Sequence, residues 1–95
     1  MNIKWNKRKS KQLQTGRRLS LEVFAKMIAE GDYIAEMKNP ARDGQSIYLC
    51  IFNDYVHVVP FVRDNKENII LKTVFPSRKY QKIYGGDTSE RSEAG

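Results

Sequence analysis

The side chains best suited to chemistry lie in one segment, residues 71–84, where basic residues and tyrosines follow one another closely. Those that could act on a substrate are Lys72, Arg78, Lys79, Lys82 and Tyr84. If residues 78–84 form a helix, Arg78 and Lys82 are four residues apart and share a face. An arginine can bind a phosphate through two N–H donors. A lysine can hold a phosphate or protonate a leaving oxygen.

This set of groups suits RNA cleavage without a metal ion. Such cleavage must align a 2′-hydroxyl with the phosphorus, neutralise the phosphorane and protonate the leaving 5′-oxygen. Tyr80 or Tyr84 could stack on a base or transfer a proton. The alternative is a solvated basic helix end whose lysines complement the helix dipole. The residues alone leave both interpretations open.

The chain has one histidine, His57, and one cysteine, Cys50, in predicted strands on either side of a hairpin. A Cys/His nucleophile pair is conceivable on that ground. A hydrogen-bonded strand histidine and a buried core cysteine are the commoner roles of such residues. Metal ligands do not cluster in the sequence, and no glycine-rich phosphate loop is present. We therefore predict neither a metal site nor a cofactor.

The charge of the chain points to a polyanion as its partner. There are 17 basic and 11 acidic residues, which gives a formal net charge of +6. Such a field attracts nucleic acid, an acidic membrane or an acidic protein, and a basic surface without a specific ligand is the alternative. We predict RNA as the partner. The residues predicted to bind it are Lys7, Arg8, Lys11, Arg17, Arg18 and Arg63.

The length and apolar pattern limit the class of protein. A chain of 95 residues suits one domain with a modest core. No apolar stretch approaches the roughly 20 residues of a membrane span, and no signal peptide is visible. We predict a cytoplasmic protein without a membrane partner, with one domain over residues 1–86 and a disordered tail over residues 87–95.

Two helices are predicted in the N-terminal third. Asn6 could cap a helix over about residues 7–14. A second helix, at about residues 21–30, follows Ser20 and carries apolar residues at helical spacing. Gly31 is a candidate to end it in the left-handed conformation.

The remaining pattern is typical of strands. Predicted strands cover residues 2–5, 33–38, 47–52, 55–62 and 69–75. Pro60 cannot donate to a ladder, which predicts a sheet edge or a bulge near it. Ser77 could cap a short helix through Tyr84. The sequence therefore predicts an α+β fold, with two N-terminal helices packed on a mainly antiparallel four- to five-stranded sheet and a short C-terminal helix.

Four short segments, taken in order, resemble one family of proteins. Residues 3–6 (Ile-Lys-Trp-Asn) and 18–24 (Arg-Leu-Ser-Leu-Glu-Val-Phe) are similar to the start of BrnT-like toxins and the element that opens their second helix. Residues 55–62 and 71–79 (Leu-Lys-Thr-Val-Phe-Pro-Ser-Arg-Lys) resemble that family's final strands and closing segment. The resemblance spans about residues 3–84 and places the chain near the wider RelE/ParE-like toxin class.

The resemblance implies a ribonuclease toxin that cleaves mRNA, on or off the ribosome, and arrests translation. It also implies a ribbon-helix-helix antitoxin that covers the toxin and recruits it to promoter DNA. By motif position, Arg78 and Lys79 would be the active-site basic residues. Relatives carry a histidine ahead of the second-helix element, where this chain has Arg17 and Arg18. An arginine at that position would replace only the positive charge of the histidine.

Two other functions remain open. One is a non-catalytic nucleic-acid-binding module that uses the basic N-terminal helix and the tyrosines of the sheet. The other is a toxin-like protein that has lost activity and serves as the binding module of a partner. Cleavage products would exclude the first, and tight antitoxin binding without a growth defect would indicate the second.

Overall fold

A mixed β-sheet forms the centre of the fold in the computed structural model, which describes residues 2–85. The predicted tail at residues 87–95 lies outside the described residues. In chain order the elements are β1 (Ile3–Trp5), α1 (Lys7–Gly16), α2 (Leu21–Ala29), β2 (Ala35–Lys38), β3 (Ser46–Phe52), β4 (Tyr55–Arg63), β5 (Ile69–Leu71), β6 (Phe75–Pro76) and α3 (Arg78–Tyr80), which continues as a π-helical turn over Gln81–Gly85.

The described strands are arranged in the order β1-β5-β4-β3-β2, and β6 pairs with β4 beyond the end of β5. The β1–β5 pair is parallel, whereas the other pairs are antiparallel. The predicted α+β fold, with two N-terminal helices, a mainly antiparallel sheet and a short C-terminal helix, is confirmed. None of the helices in residues 2–85 is long and apolar enough to cross a membrane.

The two N-terminal helices are capped in different ways. Asn6 caps α1 as predicted, because its side-chain oxygen accepts a hydrogen bond from the N–H of Lys9 at 3.1 Å. Ser20 occupies the N-cap position of α2 without a side-chain cap. The N–H of Leu21 instead donates to Oγ of the buried Ser10 at 3.1 Å. A residue of α1 therefore caps α2 and fixes the two helices together.

Apolar side chains cover both faces of the sheet. One cluster joins α1 and α2 to the sheet and includes Leu13, Leu21, Phe24, Ile28, Cys50, Val59, Phe61 and Leu71. A smaller cluster on the other face comprises Ile47, Leu49, Val56 and Val58, with Phe75 and Tyr80 packed against it. Because strand side chains alternate between faces, β3 and β4 are buried on both sides and have nearly continuous apolar sequences. Tyr80 places the C-terminal helical segment on the side opposite α1 and α2.

The last strand predicted from the sequence is divided into β5 and β6 by a bulge. Leu71 pairs with Phe61, and Phe75 pairs with Val58. The chain therefore advances four residues, from 71 to 75, opposite only three residues of β4, from 61 to 58, and the additional residue forms the bulge. Lys72, the first residue after β5, donates its N–H to the carbonyl oxygen of Pro60 at 2.8 Å. Pro60 itself has no backbone N–H, so it cannot donate a second hydrogen bond to this segment. Of the sheet edge or bulge predicted near Pro60, the structure has the bulge, which lies opposite Pro60 and coincides with the break between β5 and β6.

A tight turn sets the start of β4. Asn53 and Asp54 both have positive φ, at 53° and 60°, as a two-residue type I′ hairpin requires. Asparagine and aspartate tolerate this conformation better than most residues. The turn places Cys50 directly opposite His57 in the β3–β4 register.

The turn between β4 and β5 is organised by one carboxylate. Asp64 accepts hydrogen bonds from the backbone N–H of Lys66 (2.8 Å) and from the backbone N–H (2.9 Å) and side-chain amide (3.1 Å) of Asn68. The backbone and side-chain bonds from Asn68 are the largest causes that lower the pKa of Asp64 below 3.8. Asn68 in turn accepts from the N–H of Asn2 at 3.1 Å, so this turn also anchors β1.

Replacement of Asp64 by alanine is expected to reduce the free energy of unfolding at neutral pH, and less so in acid. A carboxylate whose folded pKa is depressed stabilises the protein above its unfolded pKa, and this contribution is lost as pH falls through the folded pKa. Urea unfolding at neutral pH and well below pH 3.8 measures the difference. Asp43→Ala, in the exposed β2–β3 loop, is the control. An equal loss at both pH values would contradict a role for the ionised group.

Candidate functional site

An open cleft lies where the start of β4 meets the α1–α2 connection and β6. Two adjoining depressions of about 430 and 640 Å³ form it. They share Arg17, Leu19, His57 and Pro76, and the larger one adds Arg18, Phe52, Asn53, Tyr55 and Arg78. These residues come from three separate parts of the chain, which the fold brings together.

His57 forms part of the cleft wall, and the residue as a whole is 6% exposed. Its Nδ1 lies 2.9 Å from the carbonyl oxygen of Tyr55. A carbonyl oxygen can only accept, so Nδ1 carries a proton and donates it to this bond. In the neutral ring, Nε2 then keeps a lone pair and can accept a proton from a substrate.

Aromatic neighbours hold the His57 ring in place. The ring centroids of Phe24 and Phe52 lie 5.5 Å and 5.7 Å from that of His57, and Tyr55 lies edge-on at 6.2 Å. Phe24 is fully buried on α2. Tilted and edge-to-face pairs at these distances are favourable arrangements of such rings. The imidazole is therefore positioned by packing from α2, β3 and β4 together with one hydrogen bond.

Three exposed arginines line the same cleft. Arg17 follows α1, and its Nη1 makes a long contact of 3.5 Å with the carbonyl oxygen of Val74. Arg18 turns the chain sharply with a φ of 58°, a conformation that is uncommon for a residue other than glycine. Arg78 begins the C-terminal helical segment. Among residues 2–85, no carboxylate forms an ion pair with any of the three, which leaves them able to bind phosphate.

The helical segment that carries Arg78 is tied firmly to β4. Ser77 caps it as predicted, with Oγ accepting from the N–H of Tyr80 at 3.2 Å. The side-chain oxygen of Gln81 accepts from the N–H of Val56 at 2.8 Å, and the N–H of Ser77 donates to the Val56 carbonyl at 3.0 Å. Both polar backbone groups of Val56 are thus bonded to this segment. The position of Arg78 is fixed relative to the strand that carries the histidine.

The five residues predicted to be catalytic do not come together in the structure. Arg78 lines the cleft. Lys79 is exposed, with its Nζ 5.3 Å from the ring centroid of Tyr80. Lys82 and Tyr84 are exposed on the π-helical turn and are not among the residues that line the cleft. Lys72 lies in a different groove, near the bulge.

The residues predicted to bind RNA occupy three places. Arg17 and Arg18 line the cleft, whereas Lys7, Arg8 and Lys11 are exposed on α1. Arg63 lies at the far end of β4, about 26 Å from its first residue at the usual rise of a strand. It forms an ion pair with Glu36 at 3.2 Å and lies over the ring of Phe61.

Cys50 and His57 are cross-strand neighbours, as the hairpin pattern allowed. Cys50 is fully buried, and this burial raises the pKa of its thiol to about 12. A cysteine nucleophile needs the opposite shift, because the thiolate is the reactive form. Cys50 is therefore a core residue, and both its burial and its raised pKa oppose a nucleophilic role.

His57 lines the cleft, although it is not among the catalytic or RNA-binding residues predicted from the sequence. The sequence favours a hydrogen-bonded strand residue for His57, with a Cys/His pair as the less common alternative. The signal in the sequence for a site at His57 is its position two residues after the start of a strand that follows a tight turn. Its side chain lies on the same face of that strand as Tyr55 and Val59. Such a position lies at the rim of a sheet, where a side chain can reach an adjoining cleft.

Comparisons with protein-family models, with curated proteins and with solved structures each return no match. Among residues 2–85, no three His, Cys, Asp or Glu side chains are grouped closely enough to hold a metal ion. The resemblance to BrnT-like toxins therefore stays a prediction. The arrangement of the cleft is the firmer basis for a functional proposal.

Proposed function

We propose that this protein is a metal-independent endoribonuclease with the cleft as its active site, and that it acts as the toxin of a toxin–antitoxin pair. One observation carries the proposal. His57, Arg17, Arg18 and Arg78 all line the same open depression of about 640 Å³. A proton acceptor beside several phosphate-binding cations is what cleavage at a 2′-hydroxyl requires.

In the proposed reaction, Nε2 of His57 takes the proton of the 2′-hydroxyl, and the 2′-oxygen forms a bond to phosphorus. The arginines neutralise the charge that develops on the phosphorane oxygens. The bond from phosphorus to the 5′-oxygen then breaks, and that oxygen takes a proton from the phenol of Tyr55, which also lines the cleft. The products are a 2′,3′-cyclic phosphate and a 5′-hydroxyl end.

The net charge of +6 and the resemblance of four segments to BrnT-like toxins support the toxin role. The proposed substrate is mRNA in the cytoplasm, on or off the ribosome. A ribbon-helix-helix antitoxin is the proposed partner that would restrain the activity. Promoter DNA would be bound only through that antitoxin.

Expression of the protein alone tests the proposal directly. We expect reversible growth arrest, together with a fall in total translation. The purified protein should also yield RNA fragments that end in a cyclic phosphate, in the presence of a metal chelator. Normal growth and intact RNA, with soluble folded protein, would contradict the proposal. Salt-dependent RNA binding in that case would favour a binding module.

Comparison of Arg78→Ala with Lys79→Ala tests the location of the site. Both variants remove one positive charge from the same turn, but only Arg78 lines the cleft. Arg78→Ala is expected to slow cleavage by about 10²–10³-fold, the cost of losing one donor to a developing charge. Lys79→Ala should leave the rate within a few-fold of wild type. Equal losses in initial rate would mean that the cleft is not the site.

A further inference from the structure

A second groove is lined by basic residues from three distant parts of the chain. Lys9 comes from α1, Arg42 from the β2–β3 loop and Lys72 from the bulge between β5 and β6. The groove has a volume of about 400 Å³. Its other lining residues are Asn39, Ala41, Gln45, Pro60, Thr73 and Phe75. Three cations thus converge on one depression that no carboxylate of the described residues lines.

The fold holds this groove in shape. The N–H of Asn39 donates to the carbonyl oxygen of Gln45 at 2.9 Å, and its side-chain oxygen accepts from the N–H of Ala41 at 2.9 Å. These bonds close the loop that carries Arg42. On the other side, the N–H of Lys72 is bonded to Pro60, which fixes the bulge. Among residues 2–85, neither Arg42 nor Lys72 forms an ion pair.

The groove adjoins the cleft. Phe75 is half-buried and lines both. The backbone from Lys72 to Pro76 can span at most about 14 Å, the length of four fully extended residues. An RNA strand with its scissile phosphate in the cleft would therefore cross Phe75 and reach the groove within a few nucleotides. The ring of Phe75 offers an unpaired base a surface for stacking.

We propose that the groove binds the phosphates of nucleotides that flank the scissile bond, so that the substrate is single-stranded RNA of several nucleotides. The inference rests on the proposed function for its substrate, but RNA binding at the groove can be measured separately. Single strands are favoured because a base in a duplex is not free to stack on Phe75.

Replacement of Arg42 and Lys72 together by glutamine tests the groove. Glutamine keeps part of each apolar stem and removes the charge. The probe is a single-stranded DNA oligonucleotide of about ten nucleotides, a length within the usual site sizes, which lacks the 2′-hydroxyl needed for cleavage. The slope of log affinity against log salt should become shallower by about 1.4, which corresponds to two phosphates at about 0.7 each.

The matched control is Lys26→Gln with Lys66→Gln, which removes the same charge from α2 and from the β4–β5 turn. It should leave the salt slope unchanged. If both double variants change the slope equally, the groove is not a nucleic-acid site, and an acidic protein becomes its candidate partner. Circular dichroism and thermal unfolding verify that each variant is folded.

Cleavage assays separate this inference from the proposed function. The Arg42 and Lys72 variant should lose kcat/KM on long RNA and keep the wild-type rate on a dinucleotide. Equal losses on both substrates would overturn the inference. A wild-type protein that binds the oligonucleotide through the groove but cleaves no RNA would overturn the proposed function and leave the groove assignment standing.

Discussion

Replacement of His57 by alanine is expected to slow RNA cleavage by about 10²–10⁴-fold, the usual contribution of a positioned general base. The carbonyl of Tyr55 holds the proton on Nδ1, so Nε2 is the ring nitrogen that is left to accept a proton. Initial rates on a single-stranded RNA, with a chelator present, measure the effect. Added imidazole should restore part of the activity of His57→Ala, because it can enter the space that the side chain leaves.

His57→Asn is the control for a structural role. The asparagine amide can still donate to the Tyr55 carbonyl, but it has no basic nitrogen. We expect this variant to bind a non-cleavable DNA oligonucleotide with wild-type affinity and to be as inactive as His57→Ala. Wild-type cleavage by His57→Asn would show that the imidazole is not the base. Restoration by imidazole is the readout that a purely structural histidine would not give.

Much of the fold could be predicted because its signals are local. The helical spacing of Leu21, Phe24 and Ile28 marks the buried face of α2, and all three are in the core. Asn53-Asp54 marks the hairpin, since both residues tolerate positive φ. Pro60 marks the bulge, because it lacks an N–H. Each of these features depends on a residue and its near neighbours in sequence.

Contacts between distant segments could not be predicted in the same way. The hydroxyl of Ser10 caps α2 only because α1 folds against it, which no capping pattern at Ser20 reveals. The parallel pairing of β1 with β5 joins strands that are more than 60 residues apart. Pairings of this kind are selected by the packing of the whole core.

The candidate site illustrates the same limit. Arg78 was identified from its basic, tyrosine-rich segment, and it does line the cleft. His57 reaches the same cleft through the β3–β4 hairpin, and Arg17 through the connection between α1 and α2. Lys72 belongs to the predicted segment but lies in the other groove, because the bulge separates β5 from β6. Residues that are close together in this segment of the sequence thus lie at two different surfaces of the fold.

Replacement of Phe24 by alanine is expected to cost about 3–5 kcal/mol of unfolding free energy, as is typical of buried phenylalanines. Phe24 is fully buried and contacts the rings of Phe52 and His57. A domain of this size has on the order of 5–15 kcal/mol of stability, so the variant should be partly unfolded or close to it. Urea unfolding followed by far-ultraviolet circular dichroism measures the loss.

The milder substitution Phe24→Leu separates the effect of this residue on the stability of the fold from its effect on the position of the His57 ring. Phe61→Leu is the matched control. Phe61 is equally buried, but it stacks on Tyr48 towards the other end of β4. Both leucine variants should lose similar stability, because each removes one buried ring. Only Phe24→Leu removes a ring that holds His57, so it alone should slow cleavage per folded molecule. Equal rates in the two variants would mean that the hydrogen bond to Tyr55 suffices to position the imidazole, whereas a selective loss would make α2 part of the active-site support.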